Sequence, residues 1–174
     1  MQTTRDGVGL RHMHVRHAPY RKALIAWCSL VLVLGVCTGH AAMRKLSMED
    51  LARKADTIVL GTVTKQESAW DDHHTAIYTI VTLEVERVLV GREVQVVTLQ
   101  VAGGSVGSMG MRTSNDAVFW DGERAIVFLD TSAVPSTVVG MQQGKFTVKD
   151  NTVTGIGETW GLEDFITAVR AAAR

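Results

Sequence analysis

The chain has 174 residues, a formal net charge of +0, 46% hydrophobic residues and 21% charged residues. With only two prolines as well, this composition excludes a disordered or collagen-like chain. The length fits one domain, or one small domain with a leader, and the neutral net charge gives no indication of nucleic-acid binding.

The beginning of the chain has the features of a secretory signal peptide. Residues 1–42 hold five basic residues and one acidic residue, a net charge of +4. Residues 23–37 carry no charge, follow Arg21 and Lys22, and precede a short segment of small residues. This is the order of the three regions of a signal peptide. We therefore expect residues 1–42 to be the leader and residues 43–174 to form one exported domain, periplasmic or extracellular.

An uncleaved membrane anchor is the alternative for this leader, because residues 23–43 approach the roughly 20 apolar residues that span a bilayer. Both cysteines, Cys28 and Cys37, lie in the same segment. Residues 43–174 therefore cannot form a disulfide, a thiolate metal site or a cysteine nucleophile. They hold 13 basic and 17 acidic residues, a net charge of −4.

The first elements of the exported domain are a short helix and a strand. Ser47 is a good N-cap residue and predicts a helix that ends near residues 54–56. The β-branched, apolar residues 57–65 predict a strand, with a bend or bulge at Gly61. The polar residues 66–74 predict a loop.

A long strand and a glycine-rich segment occupy the middle of the domain. Residues 75–90 alternate between apolar and polar side chains and predict a half-buried strand, with a bulge near residues 87–88, where the alternation breaks. Residues 93–101 predict the next strand. Residues 103–110 contain four glycines and predict a mobile loop or wide turn over one mouth of the fold, rather than a helix or strand.

The last third predicts further strands and a helix. Residues 123–130 form an apolar strand, residues 137–149 a hairpin that turns at Gln143-Gly144, and residues 153–156 a short strand. Residues 161–174 predict a helix. Its apolar stripe comprises Leu162, Phe165, Ile166, Val169 and Ala173.

Strands that lose their alternation partway, short turns and two terminal helices together predict a mainly β fold. We expect a small OB-like barrel, closed or partly closed, with a short N-terminal helix and a C-terminal helix. A two-sheet sandwich is less favoured. The C-terminal helix should pack at an open end or seam of this barrel. There it would cover inward side chains such as Val81, Leu83 and Val127.

Several landmarks of this fold, spread over about residues 46–150, carry a resemblance. In chain order they are Leu51, Ala55-Asp56, Ile58 to Val63, Trp70, Tyr78-Thr79, Val85, Gly91, Gly103-Gly104, Phe119, Gly122-Glu123, Val127 to Leu129 and Gln143 to Phe146. This order resembles a group of exported bacterial hypothetical proteins with a single β-barrel domain.

The barrel is more distantly similar to the OB-type barrels of netrin-like modules and tissue inhibitors of metalloproteinases. That similarity implies a protein-binding role. The inhibitors in that family use an N-terminal cysteine to reach a catalytic metal, and their barrels carry disulfides. Residues 43–174 contain no cysteine. The barrel therefore carries over from this similarity, but the inhibitory mechanism does not.

Within residues 43–174, Asp71, Asp72, His73 and His74 form the only cluster with the chemistry of metal ligands. Adjacent residues of an extended segment point in opposite directions, so only alternate members converge, and further ligands would have to come from elsewhere. A solvated loop with Trp70 packed at its base is the alternative interpretation.

The glycine-rich segment lacks the lysine and serine or threonine of a phosphate-binding loop and the spacing of a dinucleotide-binding loop. We expect no cofactor. We expect instead a partner-binding loop. Its residues are Gly103, Gly104, Ser105, Gly107 and Gly110.

These patterns favour an exported, non-enzymatic binding module of the cell envelope or exterior. Its partner would be a protein or an envelope component, not a nucleic acid, and it would meet the membrane only through an uncleaved leader. The alternative is a metal-dependent or otherwise cryptic hydrolase that uses residues 71–74. No Gly-x-Ser-x-Gly elbow supports a serine hydrolase.

Cleavage of the leader gives the first testable prediction. We expect the exported protein to begin at Ala42 or Met43, since Gly39 and Ala41 are the small residues that precede the favoured cleavage position. N-terminal sequencing of the exported protein measures this directly. A full-length species that only detergent extracts would instead show an uncleaved anchor.

Overall fold

The structure is a computed structural model that describes residues 44–174. The predicted leader, residues 1–42, and both cysteines lie outside the described residues. Within the described range, no helix has the length and apolar character that a bilayer-spanning helix needs.

The described chain is mainly β, with one α-helix near each end. The helices are α1 (Met48–Lys54) and α2 (Leu162–Ala172), with a 3-10 helix at Met141–Gly144. The strands are β1 (Thr57–Trp70), β2 (Ile77–Val90), β3 (Val96–Ala102), β4 (Gly104–Val106), β5 (Met109–Met111), β6 (Arg124–Asp130), β7 (Ser136–Val138), β8 (Lys145–Lys149), β9 (Thr152–Gly155) and β10 (Glu158–Gly161).

Five strands close into a barrel in the order β1-β2-β3-β7-β6, because β6 pairs back onto β1. All of these pairings are antiparallel except that of β3 with β7, which is parallel. The other edge of β6 pairs with two strands. The first residues of β6 pair with β8, and its last residues pair with β7. This arrangement confirms the OB-like barrel, to which β8, β9 and β10 add a meander.

The longest pair of strands is bent by bulges. The register of β1 against β2 shifts between Ile58 and Val59, between Leu60 and Gly61, and between Val63 and Lys65. The predicted irregularities at Gly61 and near residues 87–88 are therefore confirmed. Gly61 is required here because a Cβ atom would lie 2.6 Å from the carbonyl oxygen of Glu84. Each bulge increases the local twist that lets a small barrel close.

The polar and glycine-rich segments differ from the expectations. Residues 66–70 are not a loop, because β1 continues through them to Trp70, paired with β2. Residues 103–110 are not a loop either. They form most of a short hairpin, β4 with β5. Polar side chains are compatible with an edge strand, because the faces of such a strand are partly exposed. Glycines are compatible with a strand that approaches its neighbours closely.

The hairpin predicted around Gln143-Gly144 is wrong. The chain forms the 3-10 helix there, and β8 pairs with β6 and β9 instead of with β7. Gly144 lies so close to the backbone of Val139 that a Cβ atom would collide with it. The glycine therefore marks a close backbone approach and not a hairpin turn.

Two hydrophobic clusters share β1 and β6. The barrel interior contains Val59 and Val127, while their neighbours Ile58 and Phe128 belong to a second cluster outside the barrel. Because β6 and the first half of β1 are buried on both faces, their outer face requires a cover. Both helices belong to the outer cluster and supply that cover.

Helix α2 therefore packs against the outside of the barrel and not at its open end. The inward side chains Val81, Leu83 and Val127 are fully buried in the interior cluster, which contains no residue of α2. Phe165 of α2 instead contacts the rings of Phe146, at 4.8 Å between centroids, and Trp160, at 5.2 Å.

Phe165 gives the second testable prediction. The Phe165→Ala variant should lose about 3–5 kcal/mol of unfolding free energy, because it leaves a cavity in the outer cluster. Glu163→Ala removes only an exposed ion pair with Arg87 and should cost at most about 1 kcal/mol. Urea denaturation of both variants measures this difference. Equal losses would show that α2 is peripheral to the fold.

Candidate functional site

A groove of about 380 Å³ lies between the β4–β5 hairpin, the end of β1 and residues 116–120. We call it the hairpin groove. Its lining includes Gly103, Gly104 and Ser105 of the predicted partner-binding loop. The other two residues of that loop, Gly107 and Gly110, lie in the hairpin but do not line the groove.

The hairpin approaches the barrel most closely at Gly104. Gly104 has φ +137°, and a Cβ atom there would collide with the hydroxyl groups of Ser68 and Thr79. The buried Thr79 hydroxyl donates to the carbonyl oxygen of Gly103 at 2.7 Å and lies 2.9 Å from the Ser68 hydroxyl. The polar floor is thus internally hydrogen-bonded, and within residues 44–174 no buried side-chain polar atom is left without a partner.

The opposite wall depends on an ion pair that is largely removed from solvent. The Lys145 ammonium lies 2.6 Å from a carboxylate oxygen of Glu123, and the two side chains are 11% and 9% exposed. Lys145 also donates to the carbonyl oxygen of Val118 and lies 4.9 Å from the ring centroid of Phe119. Glu123 accepts a hydrogen bond from the backbone N–H of Trp120 at 3.1 Å. The pair therefore fixes the backbone of residues 118–120.

That wall presents apolar side chains to solvent. Trp120 is 64% exposed and Val118 is 46% exposed, and both line the groove. Trp120 thus occupies a rim position and is not part of the core. Met109, on β5 of the hairpin, is 58% exposed. Large apolar side chains that are held in place yet exposed are typical of interaction surfaces.

The cluster at residues 71–74 forms the turn between β1 and β2. The Asp71 carboxylate accepts hydrogen bonds from the N–H of Thr75 at 2.6 Å, its hydroxyl at 2.6 Å, and the N–H of Ala76 at 3.1 Å. These bonds, above all that from the Thr75 hydroxyl, lower the pKa of Asp71. Asp71 therefore stabilises the turn.

The neighbours of Asp71 do not converge with it. Asp72, His73 and His74 are exposed, and the imidazole of His74 stacks on Trp70 with 6.0 Å between ring centroids. In the part of the chain that the structure describes, no group of three or more His, Cys, Asp or Glu residues is placed to hold a metal ion.

Residues 116–120 and the ion pair behind them were not anticipated from the sequence. Glu123 and Lys145 are separated by 22 positions and meet only because β6 pairs with β8. The one local signal was the apolar segment Ala117 to Trp120 directly before the Asp121-Gly122 turn. Exposure of its Trp120 depends on the tertiary structure.

Comparisons with known proteins give no relative for this chain. No protein-family model matches it, no curated protein is significantly similar, and no solved structure has a significantly similar fold. Its candidate site therefore has to be interpreted from its own geometry.

Gly104 gives the third testable prediction. Gly104→Ala should lower the free energy of unfolding by about 2–6 kcal/mol, because backbone strain of about 1–3 kcal/mol adds to an overpacking cost of similar size. Gly107→Ala is the matched control, with φ +60° but nothing within 4 Å of the added Cβ, and should cost about 1–2 kcal/mol. Thermal and urea denaturation measure both. Equal costs would show that the hairpin does not depend on contact with Ser68 and Thr79.

Proposed function

We propose that this chain is an exported, non-enzymatic binding module of the cell envelope or exterior, and that the hairpin groove takes its partner. One observation carries the proposal: Trp120 is 64% exposed although its backbone is held by the Glu123–Lys145 pair. An aromatic side chain on an ordered backbone contributes a large contact area and loses little conformational entropy on binding.

The charges of the groove indicate what kind of partner it takes. Its charged lining residues are Arg112 and Asp116, one of each sign. A nucleic acid requires a positively charged surface, and a strongly charged ligand requires the opposite charge. An electrically neutral partner surface with apolar side chains is the better complement to Trp120 and Val118.

The distant similarity to netrin-like modules supports the same role, since it implies a barrel that binds proteins. The resemblance to exported bacterial barrel proteins implies export and the barrel alone. The alternative, a hydrolase centred on residues 71–74, gains no support from the positions of those residues. The Asp71 carboxylate is hydrogen-bonded within the β1–β2 turn, and both histidines of the described chain lie outside the groove.

Capture of the partner tests this proposal and is the fourth prediction. The full-length protein, immobilised and incubated with an envelope extract, should retain a defined protein or envelope component. Trp120→Ala should lose it because the main apolar contact is removed. Val134→Ala should keep it, since Val134 is 98% exposed but lies outside the groove.

Thermal denaturation of both variants should match that of the parent protein, so that a loss of capture reports the surface and not the fold. Equal capture by Trp120→Ala and Val134→Ala would contradict the assignment of the groove as the binding surface.

A further inference from the structure

We propose that the hairpin groove binds an extended segment of a partner polypeptide, which adds as a strand to the open edge of β1. This inference rests on the proposed function and specifies the partner's chemistry and its binding mode. It starts from a difference between the two halves of β1.

The first half of β1 is paired on both edges and the second half on one. Residues 58–62 pair with β2 and with β6. Residues 65–70 pair with β2 alone among the strands in residues 44–174. An edge of this kind exposes a row of peptide groups that can pair with another chain.

A turn in the chain ends the pairing of β1 with β6. Val63 accepts a hydrogen bond from the N–H of Gly122 at 2.9 Å and donates one to the carbonyl of Glu123 at 2.9 Å. The N–H of Glu123 then donates to the carbonyl of Trp120 at 2.9 Å, which closes a turn. The preceding residues are thereby directed away from β1 and become the far wall of the groove.

The hydrogen bonds of the β1–β2 turn show which peptide groups face the open edge. The N–H of Asp71 donates to the carbonyl of Ala76 at 2.8 Å, so Asp71 faces β2. Peptide groups alternate in direction along a strand. Glu67 and Ala69 therefore also face β2, whereas Gln66 and Ser68 direct their N–H and C=O groups to the open edge.

The two sides of the groove are lined by the kinds of residue that a bound strand requires. Gln66 and Ser68 line it on the side of the open edge, and Val118 and Trp120 line it on the other. A strand paired with the edge would place alternate side chains against this apolar wall. The open edge of β1 presents N–H donors and C=O acceptors in alternation, at the spacing of a strand. This pattern matches a polypeptide backbone and therefore favours a polypeptide over a lipid or a glycan as the partner.

A partner segment fits this edge better than a second copy of the chain. Lys65 and Glu67 on the outer face of the edge are 60% and 63% exposed and pair with each other at 2.8 Å. Charged side chains on an edge strand discourage association between edges. The groove beside the edge therefore has to supply the affinity, through the wall that carries Trp120.

The test compares two substitutions at one position. Gln66→Ala and Gln66→Pro both remove the side-chain hydrogen bond to Asp121, but only proline removes the outward N–H. Because that N–H does not face β2, proline should be tolerated there, as at other strand edges.

The probes are linear peptides selected from a random phage-displayed library against the full-length protein and retained only if Trp120→Ala abolishes their binding. Fluorescence polarisation should show a loss of at least about tenfold in affinity for Gln66→Pro, equivalent to about 1.4 kcal/mol, and a change within about threefold for Gln66→Ala.

Amide hydrogen exchange of the unsubstituted protein provides a second measurement that is independent of the folding of any variant. Peptide binding should slow exchange at Gln66, Ser68 and Trp70. Exchange at Glu67 and Ala69 should be slow already, because these groups pair with β2. An alternating pattern is specific to strand addition.

The outcomes separate this inference from the proposed function. Equal peptide affinity for Gln66→Pro and Gln66→Ala, with Trp120→Ala still defective, overturns strand addition but leaves the groove as the binding surface. Failure to select any Trp120-dependent peptide overturns strand addition as well. Dimerisation of the protein alone that Gln66→Pro abolishes would assign the edge to a second copy and also overturns it.

Discussion

The ion pair between Glu123 and Lys145 links the barrel to its candidate site. Removing two charges from water is costly unless each finds further hydrogen bonds, and here each does. Glu123 also accepts a bond from the Thr147 hydroxyl at 2.8 Å and from the N–H of Trp120, and Lys145 donates to the carbonyl of Val118. Removing one member of such a pair typically costs about 3–5 kcal/mol. The pair thus connects β6, β8 and the wall of the groove.

The turn at Glu123 accounts for the open edge of β1. The N–H of Glu123 donates to the carbonyl of Trp120 at the end of the β1–β6 pairing, and the residues before this turn leave β1. The carboxylate of Glu123, which is paired with Lys145, also accepts a hydrogen bond from the N–H of Trp120. The unpaired edge and the exposed tryptophan therefore lie beside the same turn and form one surface.

The sequence predicted the elements whose signals are local. The alternation of residues 77–85 and the stripe of α2 depend on burial of one face, and the N-cap Ser47 accepts a bond from the N–H of Asp50 at 3.1 Å as expected. The end of β1 was missed because Gln66 and Ser68 are polar and because half of that strand has no second neighbour. Pairing between strands is non-local, so local composition does not reveal it.

The glycines of the hairpin show why composition alone misled. Four glycines in eight residues suggested mobility, yet Gly104 is needed where the hairpin approaches the Ser68 and Thr79 hydroxyls.

The helices and the hairpin occupy different parts of the fold. Both helices cover the outer face of β1 and β6, which leaves the groove side of β1 to the hairpin and to residues 116–120.

This division of the two faces of β1 makes the groove a preformed surface. Its floor is pinned by the bond from Thr79 to Gly103, and its far wall is held by Lys145. A surface that is already ordered loses little conformational entropy when it binds, so more of the contact energy appears as affinity. The partner segment must then supply most of the ordering. A flexible segment that becomes extended on the edge of β1 meets that requirement, because its backbone gains hydrogen bonds from peptide groups that are already fixed in a strand.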